Sequence, residues 1–278
     1  MAVHGYIGAG IIVVAEILIL RRVQPIATFF TPIAWWGYIL LVDAIVYRIS
    51  KKSLIVSRPL EFLLMVLLSI GMWLIFEFYN LFIRSWHYIN LPAQLWMRLL
   101  GYGFAFSTIT PALLETAELI SCFGWVRRLS QRRLRDFTSW LTPLFFIGVV
   151  SLILPFIFPS NYMSPLVWLG FIFLLEPVNY RFKRGSLLRD WEKGDGRRLV
   201  SLLVAGFWCG ILWEFWNYWA YTKWIYTVPY LPQIKIFEMP ILGYFGFPAF
   251  TVECFLMYST LRLIIKSPRY PQPLNILR

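Results

Sequence analysis

Apolar runs of about twenty residues recur along the whole chain, separated by short polar segments. A helix needs about 20 apolar residues to cross the hydrocarbon core of a bilayer. These runs are continuously apolar, whereas the strands of a membrane barrel alternate and are about ten residues long. The pattern predicts an all-α polytopic membrane helix bundle with eight spans. The expected spans are 5–20, 28–47, 60–83, 100–126, 138–158, 165–180, 199–221 and 240–265.

The first half of the chain resembles the second half. Residues Pro32–Leu54 align without gaps with Pro165–Leu187, and Asp43 falls on Glu176. The order of the further matches is the same in both halves: Phe76–Asn80 with Trp213–Asn217, Trp86–Tyr88 with Trp224–Tyr226, Leu100–Tyr102 with Leu242–Tyr244, and Pro111, Ala112 and Glu115 with Pro248, Ala249 and Glu253.

These matches predict a tandem duplication of a four-helix unit, with a first repeat at 1–136 and a second at 137–278. Because each unit has an even number of spans, both copies enter the membrane from the same side. The copies are then related by a pseudo-two-fold axis along the membrane normal, as in parallel repeats.

The distribution of Lys and Arg predicts the orientation, because short cytoplasmic loops carry an excess of both. One side of the predicted membrane holds twenty of the 26 basic residues. The predicted location is a bacterial or archaeal cytoplasmic membrane with both termini in the cytoplasm. The six basic residues on the other side are Arg21, Arg22, Arg84, Arg98, Lys223 and Lys235.

The composition of the chain indicates which kinds of binding partner to expect. The net charge is +12 although only 14% of residues are charged, against about 25% in soluble domains. The basic residues flank helix ends, where anionic headgroups attract them, so membrane lipids and not nucleic acid are the expected partners. Metal and cofactor sites are not expected, because the three cysteines lack metal-ligand spacing and the two histidines lie far apart. Nucleotide-binding and nucleophile motifs are likewise missing.

Several carboxylates lie inside predicted spans, at a cost of about 2.5–3.5 kcal/mol each on insertion scales. Glu77 and Glu214 are each followed three residues later by an asparagine, Asn80 or Asn217, on the same helix face. Alternatively, these pairs have only a structural role and form hydrogen bonds between helices of the two copies.

Other carboxylates allow different interpretations. Glu115 and Glu253 follow prolines, which predicts kinked helices that line a cavity. Asp43 and Glu176 lie near the cytoplasmic edge, so ion pairs with interfacial arginine or lysine are expected there.

Aromatic residues are abundant, with 14 Trp, 15 Tyr and 24 Phe. Trp73, Trp213 and Trp216 lie close to the buried glutamates and are candidate substrate contacts. The outer segments 84–99 and 222–239 are apolar and are expected to lie on the membrane interface. Their aromatic residues are interpreted as interfacial anchors: Trp86, Tyr88, Trp96, Trp224, Tyr226 and Tyr230.

The leading hypothesis is an intramembrane enzyme that acts on a lipid or isoprenoid-type substrate by acid catalysis. A buried carboxyl group can remain protonated and act as a general acid, and aromatic faces stabilise a developing cation. The candidate catalytic residues are Glu214, Glu77, Glu253 and Glu115, and the candidate substrate-binding residues are Asn217, Asn80, Trp213, Trp216 and Trp73.

Two other hypotheses remain open at the level of sequence. A proton-coupled transporter of a small or amphiphilic solute also combines parallel repeats with intramembrane carboxylates. A structural subunit of a membrane complex, or a homo-oligomer, is equally compatible with a chain that has few residues outside the membrane.

Overall fold

The computed structural model describes residues 2–129 and 136–265, and this part of the chain is mostly helical. The arginines at 132, 133 and 135, the cationic residues after 265, and the boundary between the predicted repeats lie outside or at the edge of the described residues. The helices in the described ranges are α1 (Val3–Leu20), α2 (Phe30–Ser50), α3 (Leu54–Ser57), α4 (Pro59–Ile83), α5 (Leu95–Phe106), α6 (Ile109–Ser121), α7 (Gly124–Arg127), α8 (Thr138–Ile157), α9 (Ser164–Arg181), α10 (Leu187–Glu192), α11 (Arg197–Trp219) and α12 (Gly246–Ile264).

Seven helices in the described ranges are long and apolar enough to cross a membrane, as in a multi-pass membrane protein. These seven helices are α1, α2, α4, α8, α9, α11 and α12. A short 3-10 segment directly precedes two of them: Asn161–Met163 precedes α9, and Ile241–Phe245 precedes α12.

The predicted continuous helix at 100–126 is wrong. The structure divides this region into α5 and α6, with a turn at Ser107 and Thr108. Pro111 is the third residue of α6, where a missing N–H group costs nothing because the first turn has no intrahelical acceptor for it. Pro248 is likewise the third residue of α12. Both prolines mark helix beginnings and not the kinks that the sequence suggested.

Ser69, in the middle of α4, holds the break in place. Its hydroxyl group donates to the carbonyl oxygen of Phe106 at 2.6 Å and accepts from the amide of Thr110 at 3.0 Å. One side chain thus bonds the last residue of α5 and the first turn of α6. This satisfies two backbone groups that would otherwise be costly in an apolar environment.

A buried ion network joins the opposite end of α6 to its neighbours. The Nη2 atom of Arg58 lies 2.6 and 2.8 Å from the two carboxylate oxygens of Glu118. Arg262 bonds Glu61 at 2.9 Å, and Glu61 lies 3.8 Å from Arg58. Because Arg58 directly precedes α4, α6 runs from the middle of α4 back to its beginning.

Within residues 2–129 and 136–265, Asp43 and Glu176 do not form the expected arginine or lysine pairs. Asp43 accepts from the Ser53 hydroxyl at 3.0 Å and the Ile55 amide at 2.8 Å. Glu176 accepts from the Ser186 hydroxyl at 2.5 Å and the amides of the next two residues. Each carboxylate therefore satisfies free N–H groups at the beginning of a short helix, α3 or α10.

Glycines allow the close approach of two helix pairs, α1 with α2 and α8 with α9. A Cβ atom on Gly8 would lie 2.4 Å from the carbonyl oxygen of Gly37. A Cβ atom on Gly148 would lie 2.4 Å from the backbone nitrogen of Leu174 and 2.9 Å from the carbonyl oxygen of Gly170. The obstructing atoms belong to the backbone, so larger side chains would force the helices apart.

We expect Gly148→Val to reduce the free energy of unfolding by about 1–3 kcal/mol, the usual cost of overpacking. The matched control is Gly71→Val on α4, where no heavy atom lies within 4 Å of the added Cβ. Thermal unfolding in detergent micelles measures both variants. Equal melting temperatures for the two would contradict the importance of this contact.

A candidate site: an aromatic cavity beneath a two-stranded ribbon

The two outer segments meet in a short antiparallel ribbon. Strand β1 (Trp86–Ile89) pairs with β2 (Lys223–Tyr226), so that Trp86 lies opposite Tyr226 and Tyr88 lies opposite Trp224. Alternate residues of a strand share a face, as do residues directly opposite each other. These four aromatic side chains therefore project from one face. A smaller ribbon follows, formed by β3 (Lys235–Ile236) and β4 (Met239–Pro240).

Asn80 and Asn217 attach the ribbon to the ends of α4 and α11. The Asn80 side chain donates to the carbonyl oxygen of Trp86 at 2.8 Å and accepts from the amide of Ser85 at 2.8 Å. Asn217 donates to the carbonyl oxygen of Trp224 at 2.9 Å and accepts from the amide of the same residue at 3.0 Å. Both amides thus bind strand backbone and not the neighbouring glutamate.

We expect Asn217→Ala to loosen β2, because the substitution removes two hydrogen bonds to the backbone of Trp224. The loss is about 1–3 kcal/mol of local stability. Hydrogen–deuterium exchange at the Trp224 amide should accelerate accordingly. Gln94→Ala is the control, since the Gln94 side chain makes no capping hydrogen bond. Unchanged exchange at Trp224 would contradict the role assigned to Asn217.

Glu77 accepts three hydrogen bonds on one carboxylate oxygen. The donors to Oε1 are the Tyr88 hydroxyl at 2.5 Å, the Trp73 indole at 2.8 Å and the Trp86 indole at 3.3 Å. All three partners donate to this oxygen, which therefore acts only as an acceptor, as the oxygen of an ionised carboxylate does. Burial, with the nearby Glu77 carboxylate, raises the pKa of Tyr88 well above its usual value, so the hydroxyl keeps its proton.

Glu214 has a sparser environment. Its Oε1 accepts from the Tyr226 hydroxyl at 2.9 Å, while Oε2 is buried without a hydrogen bond in the described part of the chain. The Trp224 indole donates in turn to the Tyr226 hydroxyl at 2.8 Å. Burial, together with Glu214, raises the pKa of Tyr226 as well. The two glutamates therefore have the same kind of partner but different numbers of donors.

An aromatic cavity of about 530 Å³ lies below the ribbon, within the range of small-molecule sites. None of its lining residues is charged. Tyrosines from both halves line it, namely Tyr88, Tyr226 and Tyr230. The lining also includes six tryptophans, Trp35, Trp73, Trp86, Trp168, Trp213 and Trp224.

The structure brings only part of the predicted site together. Trp73 and Trp213 line the cavity, but Trp216 does not; its indole donates to Glu16 on α1 at 2.8 Å. Glu77 and Glu214 lie behind Tyr88 and Tyr226, outside the cavity lining. Each glutamate is therefore hydrogen-bonded to a tyrosine that lines the cavity.

Glu115 and Glu253 lie elsewhere. Both are completely buried, neither lines the aromatic cavity, and their carboxyl oxygens form no hydrogen bonds within the described residues. Glu115 interacts electrostatically with Glu118, Asp43 and Arg58 at the end of the bundle occupied by the ion network. In the described ranges no group of three or more His, Cys, Asp and Glu side chains is arranged to hold a metal ion.

No protein-family model, curated protein or solved structure matches this chain. The functional inference therefore depends on the geometry of the aromatic cavity and on the chemistry of the groups around it.

Sequence reasoning missed the tyrosines. Trp86, Tyr88, Trp224, Tyr226 and Tyr230 were interpreted as interfacial anchors, yet all five line the cavity. For four of them the available signal was the match between Trp86 and Trp224 and between Tyr88 and Tyr226 in the two halves.

Proposed function

We propose that this membrane protein is an enzyme that transforms a lipid or isoprenoid-type substrate by acid catalysis in the aromatic cavity. One observation carries the proposal. Two glutamates, the half-buried Glu77 and the buried Glu214, each accept a hydrogen bond from the hydroxyl group of a tyrosine that lines the same aromatic cavity. This arrangement allows proton transfer into an apolar site that excludes ionic substrates.

The unequal hydrogen bonding of the glutamates suggests different roles. Among the described residues, Glu214 accepts one hydrogen bond, on Oε1, and its buried Oε2 accepts none, which suits a protonated acid. Glu77 accepts three, which suits an ionised base. Opposed environments for two carboxyl groups are the usual basis for dividing acid and base roles in one site.

The proposed reaction is the isomerisation of a carbon–carbon double bond. The Tyr226 hydroxyl gives its proton to one alkene carbon, the alkene π electrons form the new C–H bond, and Glu214 returns a proton to the tyrosine oxygen. The adjacent carbon becomes cationic. A C–H bond next to that carbon then breaks, its electrons form the new double bond, and its proton passes through Tyr88 to Glu77. Proton exchange with water resets both glutamates, so no external oxidant or reductant is consumed.

The tryptophan faces supply stabilisation for the cationic intermediate. A cation over the face of an aromatic ring gains about 2 kcal/mol or more when the site is desolvated. Trp35, Trp168 and Trp213 line the cavity, and their indole rings present π electrons without a basic atom that would trap the cation.

Deuterium incorporation tests the proposal even while the substrate is unidentified. Proteoliposomes made with polyprenols and a total lipid extract are incubated in D₂O, and their lipids are examined by mass spectrometry. Protonation of an alkene from solvent-exchanged groups adds about one mass unit to the substrate. The absence of deuterated or rearranged lipid relative to empty liposomes would contradict the enzyme proposal.

A proton-coupled transporter is the second candidate, favoured by the broken α5–α6 pair beside the cavity. Discontinuous helices at mid-membrane are frequent in transporter binding sites. This alternative predicts solute flux that follows a pH gradient, with the solute recovered unchanged. Flux without deuterium incorporation would favour it over the enzyme.

We further propose that the chain is a tandem repeat of two parallel four-helix units, with α5 and α6 together forming the eighth crossing. The ribbon pairing supports a two-fold relation: Trp86 pairs with Tyr226, while their sequence counterparts, Trp224 and Tyr88, also pair. Such reciprocal contacts are characteristic of two-fold interfaces. The carboxylate contacts of Asp43 and Glu176 also correspond.

In this architecture both termini lie in the cytoplasm of a bacterial or archaeal cell, and the ribbon faces outward. Cysteines introduced at Lys52 and His87 test the orientation, because both positions are exposed and lie outside the helices that could cross the membrane. A membrane-impermeant maleimide added to intact cells should label His87→Cys and leave Lys52→Cys unlabelled. The reverse labelling would overturn the orientation.

The oligomeric state is a separate question. Native mass spectrometry of the purified protein would detect homo-oligomers or larger complexes.

A further inference from the structure

The cavity is closed on the side of the first half. Here the end of α5, the turn after it and the beginning of α6 cover it: Phe106, Thr108 and Ile109 line the cavity and are all buried. The Tyr102 ring stacks on Phe106 with centroids 5.4 Å apart and an interplanar angle of 9°. Two layers of aromatic side chain therefore separate the cavity from the surroundings on this side.

The side of the second half has no such cover. In place of a helix like α5, the chain forms only the 3-10 segment Ile241–Phe245 before α12. Phe245 lines the cavity and yet is 75% exposed, and Leu242 and Leu169 combine cavity lining with exposures of 43% and 39%. Residues that contact both the cavity and the exterior mark an opening. We call this opening the portal, formed by Leu169, Leu242, Phe245 and Gly246.

The portal lies at the depth of the lipid chains. Phe247, two residues beyond Phe245, packs against Gly210, whose added Cβ would lie 2.3 Å from the Phe247 ring. Gly210 lies thirteen residues after Arg197, the first residue of α11, or about 20 Å along the helix axis. The hydrocarbon core is about 30 Å thick. The portal therefore opens to hydrocarbon in the leaflet nearer the ribbon, and its exposed side chains are all apolar.

The cavity chemistry limits what enters. With no charged lining residue, the cavity offers no partner for a phosphate or an ammonium group that lost its hydration, and an unpaired buried charge is strongly unfavourable. A volume of about 530 Å³ matches sites that enclose one drug-sized molecule. One unbranched or isoprenoid chain with a neutral head suits it better than a lipid with two acyl chains.

We propose that the portal admits an uncharged, single-chain isoprenoid-type lipid sideways from the bilayer into the aromatic cavity. The identity of the ligand as a substrate rests on the proposed function; the route of entry does not. The hydroxyl groups of Tyr88 and Tyr226 at the ribbon end are then the groups that meet the double bond or the neutral head of the chain.

Gly246 allows a specific test. Its backbone has φ −70° and ψ −33°, which any residue adopts, and no heavy atom lies within 4 Å of an added Cβ. Gly246→Leu should therefore fill the portal without disturbing the packing. Gly103→Leu is the matched control, since Gly103 also has open space around an added Cβ but does not line the cavity.

The probe is a farnesol analogue that carries a photoreactive diazirine, added to proteoliposomes of phosphatidylcholine. After illumination, peptide mass spectrometry locates the labelled residues. We expect labelling of cavity residues such as Trp168 and Trp213 in the natural protein and in Gly103→Leu, and at least a fivefold reduction in Gly246→Leu. Thermal unfolding of both variants confirms that they are folded.

The outcomes separate the two proposals. Equal cavity labelling in a folded Gly246→Leu protein would overturn the portal and leave the enzyme proposal intact. Portal-dependent labelling without deuterium incorporation in D₂O would support the portal and contradict the enzyme proposal. No labelling of the cavity in the natural protein would overturn the inference about the ligand.

Discussion

Glu214→Gln is expected to reduce the rate of deuterium incorporation into lipid by about 10²–10⁴-fold, the usual contribution of a general acid. Glutamine has the same shape and still accepts a hydrogen bond from Tyr226, which lies 2.9 Å from Glu214. It cannot supply a proton. Because the geometry is preserved, the loss should fall on kcat and leave KM nearly unchanged.

Glu16→Gln is the matched control for this substitution. Glu16 also accepts a hydrogen bond from an aromatic side chain, the Trp216 indole at 2.8 Å, but Trp216, unlike Tyr226, does not line the cavity. A Glu214→Gln protein with the natural rate would show that the acid lies elsewhere.

Tyr226→Phe extends the same test to the connecting hydroxyl group. It should also reduce kcat, because Glu214 then has no group that passes a proton to the cavity. Tyr230→Phe is its control: Tyr230 lines the same cavity, but its hydroxyl donates to the carbonyl oxygen of Tyr162 at 2.8 Å and not to a carboxylate.

Arg58→Met is expected to reduce the free energy of unfolding by about 3–5 kcal/mol, because it removes one partner of a buried ion pair. Arg58 contacts both carboxylate oxygens of Glu118, at 2.6 and 2.8 Å, and all three chain segments of the ion network meet at this point. Titration with SDS in mixed micelles measures the change.

Two further variants give this prediction its controls. The double substitution Arg58→Met with Glu118→Met should recover most of the loss, since replacing both charges by apolar groups is often neutral. Arg48→Met should have little effect, because Arg48 is exposed and Asp43 bonds His4, Ser53 and Ile55 instead. Failure of the double variant to recover would indicate that packing and not charge dominates.

The sequence predicted the continuous spans well because each depends on a local property. Six expected spans at 5–20, 28–47, 60–83, 138–158, 165–180 and 199–221 correspond to α1, α2, α4, α8, α9 and α11. The break at Ser107 and Thr108 was not predictable from hydropathy, because apolar residues continue on both sides of it. It depends on Ser69, which is distant in the sequence and supplies the missing hydrogen bonds.

The site was harder to predict than the spans. The glutamates and asparagines were found because charge and amide groups are conspicuous in apolar helices, and their repetition strengthened the signal. The ribbon was missed because four-residue strands have little periodicity and their partners lie about 137 residues apart in the chain. Without the ribbon, Tyr88 and Tyr226 had no reason to point toward the glutamates.

The unequal cover of the cavity has a consequence for the reaction that we propose. Residues at corresponding positions in the two halves of the sequence, Trp35 with Trp168 and Tyr88 with Tyr226, all line the cavity, so a ligand inside would have two nearly equivalent orientations. If the ligand enters only through the proposed portal, it would arrive with the same end leading each time. One tyrosine would then meet one defined carbon, and the reaction would yield a single regioisomer.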